Sequence, residues 1–290
     1  MKKIFYFLIL ILIISCVRRS NTSDDRIITV SIAPFKYFVD AIAGGDFVVN
    51  VMVPQGSDPH IYEPFPEQIN KLRKSEGYIS NGYLGFEMNW LDRFYETNRT
   101  MKKMSLADNI DPISEEHNHG EAHVEGADPH YWVSPVTAFI IAKDVKEFLT
   151  ELNPADSVKY ETNYQTLLLK IQDLDNKARE LFGSVQNKTV MIYHPNLAYI
   201  ARDYDLNELA VEFEGKEPSP SRLRELIDLS RKENLKTIFI QREYDTKNAK
   251  AIAGEIGAQL KVIDPLSEDW LASTTEIINA IYKSLTESKN

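Results

Sequence analysis

Hydrophobic and polar positions alternate in blocks that switch period along most of the chain. Residues 26–32, Arg-Ile-Ile-Thr-Val-Ser-Ile, form a short apolar run of the kind a buried strand needs. Pro34 follows, a residue suited to a first helical turn, and Phe35, Phe38, Val39 and Ile42 then recur on one helical face until Gly44-Gly45. Residues 47–53 are a second, valine-rich strand, so the pattern opens with a βαβ unit. Helices over 66–74 and 87–95 and strands over 77–80 and 102–105 complete a first α/β lobe.

After an interrupting polar stretch, the spacing predicts a helix over 135–152 and a break at Asn153-Pro154. Tyr160, Tyr164, Leu167, Leu168, Ile171, Leu174, Ala178 and Leu181 then recur every three or four residues up to Gly183. That is one helix of nearly thirty residues, about 40 Å long at 1.5 Å per residue. It reads either as a rigid connector between two lobes or as a cover helix of a single domain. Beyond it the βα rhythm resumes. Strands are expected at 189–193, 208–211, 237–240 and 260–263, with helices after each. The fold class is α/β and, on the connector reading, two lobes, each a small, mainly parallel sheet with flanking helices, joined by one long helix. The divisions are 26–152, 153–183 and 184–290.

The first 25 residues follow a different logic. Lys2 and Lys3 precede an unbroken apolar run from Ile4 to Ile14, then Ser15-Cys16 and a polar stretch. Eleven apolar residues are short of the ~20 that span a bilayer, and the arrangement reads as a signal peptide over 1–15. Cys16 after a small residue is similar to a lipoprotein cleavage site, which makes Cys16 the expected lipidation point and 16–25 a tether.

Composition narrows the rest. Apolar content of 43% and charged content of 26% fit a folded globular chain and exclude global disorder. Cys16 is the single cysteine, so disulfides, thiolate metal sites and a cysteine nucleophile within the folded part are excluded. The net charge is −10, and removal of a leader with two lysines and no acid makes it −12, which argues against nucleic acid and mildly favours a cationic ligand.

The candidate chemistry lies in histidines. Four of the six occupy one acidic stretch: His117, His119, His123 and His130, interleaved with Glu115, Glu116, Glu121, Glu125 and Asp128. The other two, His60 and His194, fall just past predicted strands, as does Asp264. Ligands of open α/β sheets sit beyond the carboxyl ends of strands. If the lobes face each other, His60, His130, His194 and Asp264 supply three imidazoles and one carboxylate. That set suits four-coordinate zinc and tolerates manganese or iron. Taken singly, each is as well explained as a solvated or packed loop residue, since Asp-Pro is a common turn signal. His117, His119 and His123, in residues 115–126, read either as an accessory metal-capturing loop or as a solvated acidic loop.

Asp58-Pro-His60 with Tyr62-Glu-Pro64, Asp128-Pro-His130-Tyr-Trp-Val-Ser-Pro135, Tyr193-His194 before a helix with Tyr199, and Ile263-Asp264-Pro265-Leu266 follow in that order. Together they resemble the zinc/manganese substrate-binding proteins of metal-uptake ABC transporters, the ZnuA/TroA-like solute-binding family. The resemblance runs from about residue 26 to 285. It implies a metal held between two lobes by His60, His130, His194 and Asp264, with zinc favoured over manganese by the histidine at position 194. It also implies a further candidate ligand at Glu214, in Glu214-Gly-Lys-Glu217. The expected protein is an exported, membrane-anchored monomer at the cell envelope that catalyses nothing. Its expected partners are a membrane permease and that permease's cytoplasmic ATPase. The chain carries no phosphate-binding Gly-x4-Gly-Lys-Ser/Thr loop. A zinc hydrolase and a surface adhesin are the readings from other classes.

Overall fold

The computed structural model describes residues 25–113, 126–212, 216 and 218–287. The first sheet contains β1 (Ile27–Ile32), β2 (Val48–Val53), β3 (Ser75–Ser80) and β4 (Lys102–Ser105), all parallel, in the order β2-β1-β3-β4. All six residues of β1 are buried. A central parallel strand is covered on both faces, so it reads as a continuous apolar run rather than an alternating one. Its polar members are paired: Thr29 with Ser75 at 2.6 Å and Ser31 with Tyr78 at 2.9 Å. Helix α1 (Ala33–Ala43) buries Phe35, Phe38, Val39 and Ile42 and ends at Gly44, whose φ of 63° is a conformation glycine adopts at little cost. Helices α2 (Pro66–Leu72) and α3 (Gly85–Thr97) complete the crossovers.

The second sheet repeats the plan. β5 (Thr189–Ile192), β6 (Asn207–Ala210), β7 (Thr237–Gln241) and β8 (Gln259–Ile263) are parallel, in the order β6-β5-β7-β8. Helices α6 (Ala198–Tyr204), α7 (Pro220–Glu233) and α8 (Thr246–Ile256) connect them, and α9 (Trp270–Glu287) closes the chain. In each sheet the strand direction of travel reverses beside the first strand, β1 or β5. That reversal opens the crevice where open α/β sheets bind ligands.

Helix α4 (Pro135–Leu152) is capped by Ser134, whose hydroxyl accepts the amide of Val136. A single 3₁₀ turn at Pro154–Asp156 precedes α5 (Ser157–Gly183), the long helix, which starts three residues later than the proline suggests. One end of α5 is fixed to the first lobe: Lys159 and Tyr160 both bond Asp46, and Asn163 bonds the carbonyl of Ile42. Its other end is fixed to the second lobe, where Asp175 accepts the Tyr204 hydroxyl at 2.9 Å and Phe182 packs on the Tyr204 ring. The apolar core follows this helix and is continuous from Ile28 in the first lobe to Ile281 in α9. A smaller cluster around Leu226, Ile238 and Ala249 fills the far side of the second sheet.

Candidate metal centre

Three histidines that the sequence separates by 70 and 64 residues come together between the two sheets. His60 lies in the loop after β2, His130 starts a 3₁₀ turn, His130–Val133, just before α4, and His194 follows β5. Their ring centroids are 5.1 Å apart for His60–His194, 5.3 Å for His60–His130 and 5.5 Å for His130–His194. One ligand nitrogen from each lies within 4.8 Å of the others. Tetrahedral zinc with bonds of about 2.1 Å draws nitrogens to separations of roughly 3.4 Å. A small inward movement of the rings therefore closes the set around an ion.

Each ring is oriented differently. The Asp-Pro-His triplet occurs twice, and in both copies the aspartate accepts the histidine's backbone amide: Asp58 for His60 at 2.8 Å, Asp128 for His130 at 2.7 Å. Only the second copy also reaches the ring, where Asp128 Oδ1 lies 2.9 Å from His130 Nδ1. Burial raises the Asp128 carboxyl, but the charge of His130 and the two bonds to it more than offset that and leave it below its ordinary value. A carboxylate on Nδ1 fixes the tautomer and leaves Nε2 as the free lone pair. The Asp128–His130 turn is itself anchored from β3: Asn81 donates to the carbonyl of Pro129 at 3.0 Å and accepts the Tyr131 hydroxyl on its own carbonyl at 2.7 Å.

His194 rests on the Tyr244 ring, 4.9 Å between centroids and nearly parallel. Its Nδ1 is 3.3 Å from Glu212 Oε1, and its backbone carbonyl accepts Gln241 Nε2. Nε2 is buried without a hydrogen-bond partner. A buried imidazole nitrogen left unpaired is costly unless something else binds it. His60 has a neutral ring: burial, then the neighbouring His130 and His194, push it down to about 3. With one ligand atom from each ring gathered in this set and His194 Nε2 lacking a protein partner, the arrangement is one that a metal ion would satisfy.

The profile of the family described as "ZnuA: Zinc-uptake complex component A periplasmic" matches residues 28–284. The chain belongs to that family. A crystal structure of ZnuA superposes with a TM-score of 0.83 at 36% identity, covering 90% of this chain and 99% of the other. The zinc-binding lipoprotein AdcA of Streptococcus pneumoniae is 26% identical over 292 residues, which cover 96% of this chain and 58% of the relative. The AdcA zinc-binding protein of Streptococcus pyogenes is 24% identical over 254 residues, and there the chain spans about half of the relative's length, 49%. These family members are metal-binding proteins of the solute-binding type, and the chain is one of them rather than an enzyme.

Asp264, the fourth residue expected in the site, follows β8 as anticipated but does not join the close set of histidine nitrogens. Its Oδ2 accepts Gln55 Nε2 at 2.5 Å and lies 3.0 Å from Arg242 Nη1, while its Oδ1 is buried and unpartnered. Glu243 stands in the same region: burial pushes its carboxyl up to about 7, with the charges of Asp264 and Asp58 adding. Cys16, His117, His119, His123 and Glu214 lie outside the described residues.

Glu212, Glu243, Arg242 and Gln55 were not singled out by sequence reasoning. Asp128 had a signal, because it sits two residues before a candidate histidine in a repeated triplet. Glu212 had none, since 18 residues separate it from the ring it orients.

Proposed function

We propose that this protein captures zinc outside the cytoplasm and delivers it to the permease of an ABC importer, with His60, His130 and His194 as the principal ligands and Asp264 Oδ1 as the fourth. The observation that carries the reading is the convergence of three imidazole nitrogens, one of them buried and unpaired on His194. Nitrogen-rich, four-donor sites suit zinc, whereas manganese favours oxygen donors in higher number. Zinc binding by the AdcA relatives and the zinc-uptake description of the family support the same ion. Among the described residues no helix is long and apolar enough to cross a membrane. Attachment to the membrane is assigned to acyl chains on Cys16, and transfer across it to the permease with its ATPase.

The long helix and the continuous core favour release by local movement of the loops carrying His60 and Asp264, with little hinge opening. Competition against a calibrated chelator tests the proposal. The wild type is expected to bind one zinc tightly, and His194→Ala to bind it at least a hundredfold more weakly. Equal affinity in the two proteins would remove His194 from the site and with it the four-ligand scheme.

A further inference from the structure

The carboxylate of Asp264 is used asymmetrically. Oδ2 has two partners from opposite lobes: it accepts a hydrogen bond from Gln55 Nε2, in the loop after β2, and forms an ion pair with Arg242 Nη1, in the turn after β7. Oδ1 is buried and has no partner. The backbone around the residue is held as well. The Asp264 carbonyl accepts the Ser273 hydroxyl, and the next carbonyl, of Pro265, accepts the Trp132 indole at 2.9 Å. A side chain pinned at its backbone and at one oxygen has a single oxygen left to offer.

We propose that Arg242 and Gln55 are specificity-determining residues, which restrict Asp264 to one-oxygen coordination and so tilt the centre toward zinc and away from manganese. The inference rests on the capture reading of the His60, His130 and His194 centre. Zinc is satisfied by three imidazoles and one carboxylate oxygen in a tetrahedron. Manganese gains more from additional hard oxygens, and the simplest source of one is the second oxygen of the same carboxylate. Chelation through both oxygens would require Oδ2 to give up the amide and the guanidinium together. The guanidinium stays charged at every physiological pH, so the clasp does not open by titration. Its positive charge also draws electron density from the carboxylate, which costs most for the ion that depends most on anionic oxygen. An ion pair with a partly exposed arginine is modest by itself. The expected effect is accordingly about tenfold in selectivity.

The test uses the full folded domain with zinc, manganese and cobalt(II) as probes. Affinities for zinc and manganese are measured by chelator competition in the wild type, in Arg242→Met, in Gln55→Met and in the double variant. The cobalt(II) visible spectrum of each reports coordination number. The wild type should show the intense absorption of four-coordinate cobalt. In the double variant the zinc-to-manganese affinity ratio should fall about tenfold, and the cobalt absorption should weaken toward that of a five- or six-coordinate ion. In an Asp264→Asn background, Arg242→Met should leave the ratio where it is. An unchanged ratio in the double variant, or a changed ratio with an unchanged cobalt spectrum, overturns the proposal. If Arg242→Met does not fold, Gln55→Met carries the same two readouts from the other lobe. A wild type that binds neither ion tightly overturns the capture reading itself, a result distinct from normal binding with an unmoved ratio.

Discussion

The indole of Trp270 donates to the backbone carbonyl of Trp132 at 2.7 Å, across 138 residues of sequence. Trp132 in turn donates its own indole to the carbonyl of Pro265. Both rings are 1% exposed. The two bonds join the turn that carries His130, the turn that carries Asp264 and the first residue of α9 into one unit.

Removing one of these bonds should be felt in the whole fold. Trp270→Phe keeps most of the packing against Phe38, 5.0 Å away between ring centroids, but leaves the buried Trp132 carbonyl unpaired. The loss should be about 1–3 kcal/mol, read as a lower urea midpoint with an unchanged slope. Stability equal to that of the wild type would show that the bond adds nothing to the junction of the lobes.

The two parts of the histidine-rich region should behave unequally. His130 is 5% exposed and points into the centre, so His130→Ala should weaken zinc binding by more than about a hundredfold, beyond the cost of losing an outer partner. Deleting residues 115–125 should change it by no more than a few-fold. Calorimetric titration of both variants checks the contrast, and a large loss from the deletion would return that stretch to the site.

Glu212 should matter through His194 alone. Glu212→Gln removes the carboxylate that faces Nδ1 and weakens control of the tautomer. Zinc affinity is expected to drop by about 10–100-fold, as for other groups that orient a metal-bound imidazole. The apo protein's melting temperature should hardly move. A variant that loses stability and keeps its affinity would make Glu212 a packing residue.

Glu208 should give the apo fold a pH dependence. Burial, with Asp128 adding, pushes its carboxyl up to about 7, although the amides of Asn196 and Leu197 bond it. A raised carboxyl pKa means that the folded state holds its proton more tightly than the unfolded chain does. The associated stability is complete below the unfolded value, near 4.5, and is lost as pH rises to about 7. The group is only partly shielded from solvent by surface area, so the loss is set at roughly 2 kcal/mol. Glu208→Gln should therefore be more stable than wild type at pH 8, with the gain gone at pH 4.5. Urea unfolding at the two pH values tests it, and a pH-independent difference would rule out Glu208 as the source.

The parts legible in the sequence were those set by neighbours. The unbroken apolar run of β1, the helical spacing from Tyr160 to Leu181 and the glycine after α1 all depend on periods of two to four residues, and the corresponding elements are present. Boundaries moved where a turn intervened, as at Pro154–Asp156, because a 3₁₀ turn satisfies the same proline signal as a helix start. His60 and His194 were legible by their place after a strand, a position that open α/β sheets turn toward the crevice.

By itself the sequence determined the two βα series, the long helix between them and the histidines at the carboxyl ends of the strands, because local sterics and hydrophobic periodicity dictate these. Only the tertiary structure decided what each histidine and carboxylate does. The two Asp-Pro-His triplets are identical in sequence, yet Asp128 reaches its ring and Asp58 bonds only the backbone. Asp264 stands where expected, yet it is shared between Gln55, 209 residues away, and Arg242. The physical reason is that a hydrogen bond reaches about 3 Å. Which groups come within that reach is set by the packing of two sheets on one helix, and no local pattern encodes it.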